Sequence, residues 1–151
     1  MIAGAMILAD EAATRALGAA LARVLRPGDV ILLDGPLGAG KTTLVRGLLQ
    51  ALGHEGAVPS PSFAIVQPYD DLALPLWHAD LYRIADPAEL EELGLDSILG
   101  DGVLVVEWPG HAGEGAWPPA ALALSLAPLE DGQRALTATP GEGWEQRWPP
   151  Q

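Results

Sequence analysis

Asp29 to Leu44 restricts this chain more than any other stretch: Asp-Val-Ile-Leu-Leu-Asp-Gly-Pro-Leu-Gly-Ala-Gly-Lys-Thr-Thr-Leu. An apolar run from Val30 to Leu33 gives way at Gly35 to a glycine-studded loop ending in Lys41, Thr42 and Thr43. Leu44, Val45, Leu48, Leu49 and Leu52 then recur at helical spacing. The pattern predicts strand, loop, helix. The loop fits Gly-x-x-x-x-Gly-Lys-[Ser/Thr], filled by Gly35, Gly40, Lys41 and Thr42, with a further glycine at Gly38. Glycines let the backbone curl so that successive N–H groups point inward, and a helix starting near Lys41 adds the positive end of its dipole. Such a loop binds anions, and phosphates first among them. Its expected contacts run through Leu37, Gly38, Ala39, Gly40, Lys41, Thr42 and Thr43, with Lys41 as a mobile point charge and the Thr42 hydroxyl placed for Mg²⁺.

Lys41 is the only lysine, whereas the other seven basic positions are arginine. A compact ammonium therefore stands where a planar guanidinium does not suit. With no phosphate bound the ammonium is expected to face solvent, so that Lys41→Ala should cost little stability.

A chain of 151 residues is long enough for one domain with an ordinary core, built mostly of Leu, Ala, Val and Ile because Phe and Tyr are scarce. The net charge of −12 repels nucleic-acid backbones and acidic membranes over a Debye length of about 8 Å. Any nucleic acid in its biology is expected to be held by a partner. With no cysteine, disulfides and thiolate metal sites are excluded. His54, His78 and His111 are too scattered to suggest a zinc cluster. Met1–Leu8 is apolar but too short to span a bilayer, lacks a basic leader and runs into Asp10 and Glu11, so a soluble cytoplasmic protein is expected.

Along the chain, Ala5–Leu8 reads as a short edge strand, and Asp10 as the N-cap of a helix reaching Leu25. The loop helix should end near Gly53. Two prolines make Glu55–Phe63 a loop. Strands are expected at Ala64–Gln67 and Leu76–Leu81, flanking a turn that contains Pro68, Asp70, Asp71 and Pro75. Asp86-Pro87-Ala88-Glu89 starts a short helix ending by Gly94, and a second helical stretch covers Leu95–Leu99. Val103–Val106 is a fully apolar, buried strand. Ala121–Leu126 and Arg134–Ala138 form a hairpin joined by Leu129–Gly132. The expected class is α/β: a single P-loop NTPase domain over residues 1–139, its central sheet mostly parallel and flanked by helices, with a C-terminal antiparallel hairpin. Residues 140–151 are expected to be a loose tail.

A phosphate loop needs carboxylates for Mg²⁺ and its waters, supplied in open α/β sheets by the carboxyl ends of neighbouring strands. His78, Asp80 and Tyr82 alternate with Trp77, Ala79 and Leu81, which places the polar set on one face. Glu107 ends the apolar strand. Asp80 and Glu107 are thus assigned to the metal and water shell. His78 reads first as a hydrogen-bonded structural histidine, and Asp80 could instead pair with Arg83. The chain has no asparagine, so it lacks the Asn-Lys-x-Asp element that reads guanine, and ATP is the expected nucleotide. Arg46, Arg83, Arg134 and Arg147 look dispersed and do not form the arginine lid of a small-molecule kinase.

From about Asp10 to Leu126 the chain resembles the bacterial TsaE family, formerly YjeE, the P-loop ATPases needed for threonylcarbamoyladenosine modification of tRNA. The resemblance rests on Gly38-Ala39-Gly40-Lys41-Thr42-Thr43, Ser60-Pro61-Ser62-Phe63, His78-Ala79-Asp80-Leu81-Tyr82-Arg83 and Glu107-Trp108-Pro109. It implies that Lys41 and the loop amides bind ATP phosphates, that Thr42 and Glu107 ligate Mg²⁺, and that Asp80 matters for hydrolysis, making Asp80, Glu107 and Lys41 the expected catalytic set. Ser60, Pro61, Ser62 and Phe63 would form a switch-like loop near the γ-phosphate, and Trp108 would lie beside the nucleotide. Ser62 stands where relatives usually carry threonine, and Gly110 where many carry an acid. The resemblance further implies TsaD and TsaB partners, contact with tRNA only through them, and weak ATPase activity alone. Two alternatives from the residues themselves are a small-molecule kinase and a binding module set by ATP occupancy without hydrolysis.

Overall fold

The computed structural model describes residues 4–36, 38–56, 58, 66–70, 72–82, 102–113 and 115–150. Seven strands, β1 (Gly4–Leu8), β2 (Val30–Asp34), β3 (Val66–Tyr69), β4 (Leu76–Asp80), β5 (Val103–Glu107), β6 (Leu122–Pro128) and β7 (Arg134–Thr139), form one sheet in the order β1-β7-β6-β2-β5-β4-β3. The inner four, β6, β2, β5 and β4, are parallel, with antiparallel strands at both margins. Apolar patterning dictates this order. All five residues of β5 are buried, which only an interior strand with both faces covered allows. Residues of β6 and β7 largely alternate between buried and exposed, as the expected hairpin at a sheet margin should.

Helix α1 (Glu11–Ala22) begins where Asp10 accepts from the Ala13 amide at 2.8 Å, the expected cap. It stops three residues short of Leu25. Arg23 and Val24 already make tightened i,i−3 bonds to Ala20 and Leu21, and Pro27 disfavours helical backbone at Arg26. Helix α2 (Lys41–Ala51) starts at Gly40, whose φ of 106° only glycine adopts freely, and Gly53 follows its end at φ 107°.

Pro68 lies in β3 opposite Trp77, not in the turn. Because β3 ends the strand order, one side of it carries no ladder, and such a strand is where a sheet tolerates a residue without an N–H. Strand β3 begins at Val66, while Ala64 and Ile65 lie outside the described residues. The helices expected at 86–94 and 95–99 lie there as well. No described helix is long and apolar enough to cross a membrane.

The main core lies between the sheet and the two helices, around Leu21, Ile31, Leu33, Leu44, Leu48, Val105 and Leu124. A second cluster on the opposite face joins Val30, Ala79, Leu81, Leu104 and Val106 to Trp77, Trp108 and Trp117. Glycines set the distance between α1 and α2: a Cβ on Gly18 would stand 2.1 Å from the Leu44 carbonyl oxygen, and one on Gly47 would stand 2.1 Å from that of Arg15. Backbone cannot yield as a flexible side chain can. Gly47→Ala is therefore expected to destabilise by about 1–3 kcal/mol through overpacking, despite a helix-propensity gain of about 1 kcal/mol. A urea midpoint lowered at constant slope would show it.

Residues 140–150 pack against the body, contrary to the expected loose tail. Trp144 is fully buried in the main core, and its indole N–H donates to the Ala120 carbonyl at 2.9 Å. Arg147 stacks 3.9 Å above the Trp144 ring and bonds Asp29 at 2.7 Å. An indole hidden from water and a partly buried ion pair hold the segment.

Candidate nucleotide site

The parallel register assembles the site. Leu33, Glu107 and Asp80 are successive cross-strand partners on β2, β5 and β4, so both carboxylates emerge at one end of the sheet, beside the loop that leaves β2. Asp80 is 6% exposed and Glu107 3%. His78 and Asp80 of the expected polar set are thus buried, whereas Tyr82, just past the end of β4, is exposed.

Lys41 opens α2 above these strand ends. Its ammonium donates to the Gly35 carbonyl at 2.6 Å and lies 3.8 Å from the centre of the Trp108 ring. Trp108 reaches that position through a left-handed backbone at φ 58°, uncommon for a bulky residue. Lys41 is only 5% exposed, which corrects the expectation of a solvated ammonium. Desolvation lowers its pKa from the ordinary 10.5, opposed by the nearby charges of Glu107, Asp80 and Asp34.

That shift has a measurable sign. A lysine whose pKa is lower folded than unfolded disfavours the folded state at neutral pH, and the penalty fades as pH rises through the folded pKa toward 10.5. Lys41→Met keeps the aliphatic stem without the charge. It is expected to melt at or above the parent temperature at pH 7, with the gap closing at alkaline pH. A variant that melts well below the parent at pH 7 would show that the carbonyl bond and the cation–π contact outweigh desolvation.

Around the loop, Gly38 has φ 80°, and among the described residues nothing lies within 4 Å of a Cβ built on it. The Ala39 side chain is fully buried, and its amide donates to Pro36. Thr42 and Thr43 are half-buried. Among the described residues, the amides of Gly40, Lys41 and Thr42 meet no backbone acceptor, the usual condition of a helix N-terminus. Leu37 and the Ser60–Phe63 loop lie outside the described residues, as does Arg83, the alternative partner of Asp80. Asp80 accepts from the Tyr82 amide at 2.8 Å.

Three features escaped sequence reasoning. Asp34 ends β2 within reach of the Lys41 charge, a placement its position before Gly35 could have signalled. His78 meets Glu107 at 2.5 Å. Arg134, which looked dispersed, bonds Thr14 at 3.0 Å and sits beside the loop, where a Cβ on Gly40 would approach its guanidinium to 2.8 Å. No local pattern signals the last two.

The arrangement fits a nucleotide with Mg²⁺. It offers a glycine-rich loop, helix-start amides without a backbone acceptor among the described residues, one ammonium and two adjacent carboxylates. Among the described residues, no three His, Asp or Glu gather as a protein cage for a metal. Mg²⁺ commonly takes only one or two carboxylates and completes its shell with phosphate oxygens and water.

Comparison with known proteins gives the same direction. The family model "Threonylcarbamoyl adenosine biosynthesis protein TsaE" matches residues 8–136. A Bacillus subtilis protein named tRNA threonylcarbamoyladenosine biosynthesis protein TsaE is 42% identical over 127 residues, 83% of this chain and 78% of the relative. The equally named Streptomyces coelicolor protein is 52% identical over 97 residues, 62% of this chain and 66% of the relative. That of Haemophilus influenzae is 42% identical over 103 residues, 68% and 65%. The crystal structure of B. subtilis YdiB superposes with a TM-score of 0.80 at 34% identity, covering 96% of this chain and 90% of that one. With the family model matched from β1 into β7 and the fold shared across nearly the whole chain, this protein belongs to the TsaE family.

Proposed function

We propose that this chain binds ATP with Mg²⁺ at the Gly35–Thr43 loop and hydrolyses it, in support of threonylcarbamoyladenosine modification of the adenosine 3′ of the tRNA anticodon. The observation that carries the reading is Lys41 at the start of α2, beside the adjacent carboxylates Asp80 and Glu107. Lys41 exchanges the Gly35 carbonyl for a phosphate oxygen, while the loop amides from Gly38 to Thr43 hold the phosphate chain. Thr42 and Glu107 hold Mg²⁺, which when bound neutralises charge on the phosphates. Asp80 orients water, with its carboxylate fixed by the Tyr82 amide. Trp108 shields the ammonium from solvent.

Arg134 beside Gly40 adds a second positive charge at the loop. Charge stabilisation in the transition state still calls for a partner, an effect worth about 10³-fold or more in other NTPases. TsaD and TsaB are the proposed partners in the cytoplasm, and the net charge of −12 leaves tRNA to them. Phosphate release from ATP, measured for the chain alone and with TsaD and TsaB, tests the reading. Weak basal activity strongly stimulated by the partners is expected. Normal threonylcarbamoyladenosine in cells lacking this protein and any paralogue would refute the cellular role.

A further inference from the structure

Glu107 carries the cation side of the proposed site, yet a glutamate at a strand end has three rotatable bonds to order. Something must hold its carboxylate. His78, from the neighbouring strand β4, reaches Glu107 Oε2 with Nε2 at 2.5 Å. The two side chains are 0% and 4% exposed, so water does not compete for the bond. On its other side the ring nitrogen Nδ1 is buried and meets no hydrogen-bond partner among the described residues.

That orphaned nitrogen fixes the tautomer. With the proton on Nδ1, the ring would bury an N–H with no acceptor and set the bare Nε2 lone pair against a carboxylate oxygen. With the proton on Nε2, only a lone pair is left bare, and the N–H donates to Oε2. We infer that His78 is a positioning residue for this site: it occupies Glu107 Oε2 and leaves Oε1 directed to the divalent cation or its water. The inference rests on the reading of Glu107 as a Mg²⁺ carboxylate. Among the described residues, none bonds Oε1. His78 itself needs no contact with nucleotide, and works as outer-shell partners of metal ligands generally do.

The test is equilibrium binding of a fluorescent ATP analogue to the full chain, in EDTA and across a Mg²⁺ titration. The parent is compared with Glu107→Gln, His78→Leu and His78→Gln. A glutamine amide places an N–H near the position of Nε2, whereas leucine fills space without donating. His78→Leu is expected to raise the half-saturating Mg²⁺ concentration about 10–100-fold, with binding in EDTA unchanged and His78→Gln close to the parent. Where the leucine variant does not fold, His78→Asn replaces it, since its shorter amide falls short of Glu107 and should show the same loss. An unshifted His78→Leu alongside a shifted Glu107→Gln overturns the positioning role alone. Equal losses in His78→Leu and His78→Gln also overturn it, leaving a histidine that only fills the core. A Glu107→Gln variant with unaltered Mg²⁺ dependence overturns the underlying reading of Glu107.

Discussion

Lys41→Ala is expected to lower ATP hydrolysis by the full chain, with partners present, by about 10²–10³-fold, the range seen when one preorganised donor to a developing anion is removed. An ammonium already desolvated is suited to a phosphate. Buried beneath Trp108 and bonded to the Gly35 carbonyl, it interacts with an anion through less water than a surface lysine would. Much of the cost of desolvation is therefore met on folding, before any ligand arrives. Steady-state phosphate release together with nucleotide binding checks this: both should collapse in Lys41→Ala. A variant that hydrolyses ATP at the parent rate would remove Lys41 from the site.

Trp144→Ala should be the most damaging single truncation for stability, at about 3–5 kcal/mol, a large share of the roughly 5–15 kcal/mol available to a typical domain. The substitution empties a fully buried indole site and leaves the Ala120 carbonyl without its donor. It also removes the ring beneath Arg147, which ties the C-terminal segment to Asp29. The melting temperature should fall by roughly 10 °C, using about 2–4 °C per kcal/mol for a chain of this size. A loose tail would predict no change, so one thermal melt separates the two descriptions.

The same contrast runs through the molecule. Strand β2, the glycine loop and helix α2 could be read from consecutive residues, because an apolar run, φ-permissive glycines and helical spacing are each written locally. The buried interior strand β5 was legible for the same reason. Pro68 was misplaced because its meaning depends on which strand is outermost, and that is decided by the whole sheet order. Trp144 was missed because two tryptophans among prolines, glycines and charged residues make too short a pattern to mark a buried face; only the surface Trp144 meets reveals that it is core.

At the site, sequence alone determined the chemistry on offer: an anion-binding loop, one ammonium, hydroxyls beside it, and carboxylates at the ends of predicted strands. Tertiary structure decided how these groups meet. Parallel register sets Asp80 against Glu107 and lets His78 reach across 29 positions of sequence. The antiparallel return of β7 brings Arg134 to Thr14, 120 positions away, beside the loop. A left-handed backbone at Trp108 closes the Lys41 ammonium from solvent. The physical reason is that local sequence encodes which groups a backbone segment can present, whereas their burial and partners depend on segments joined through distant crossovers.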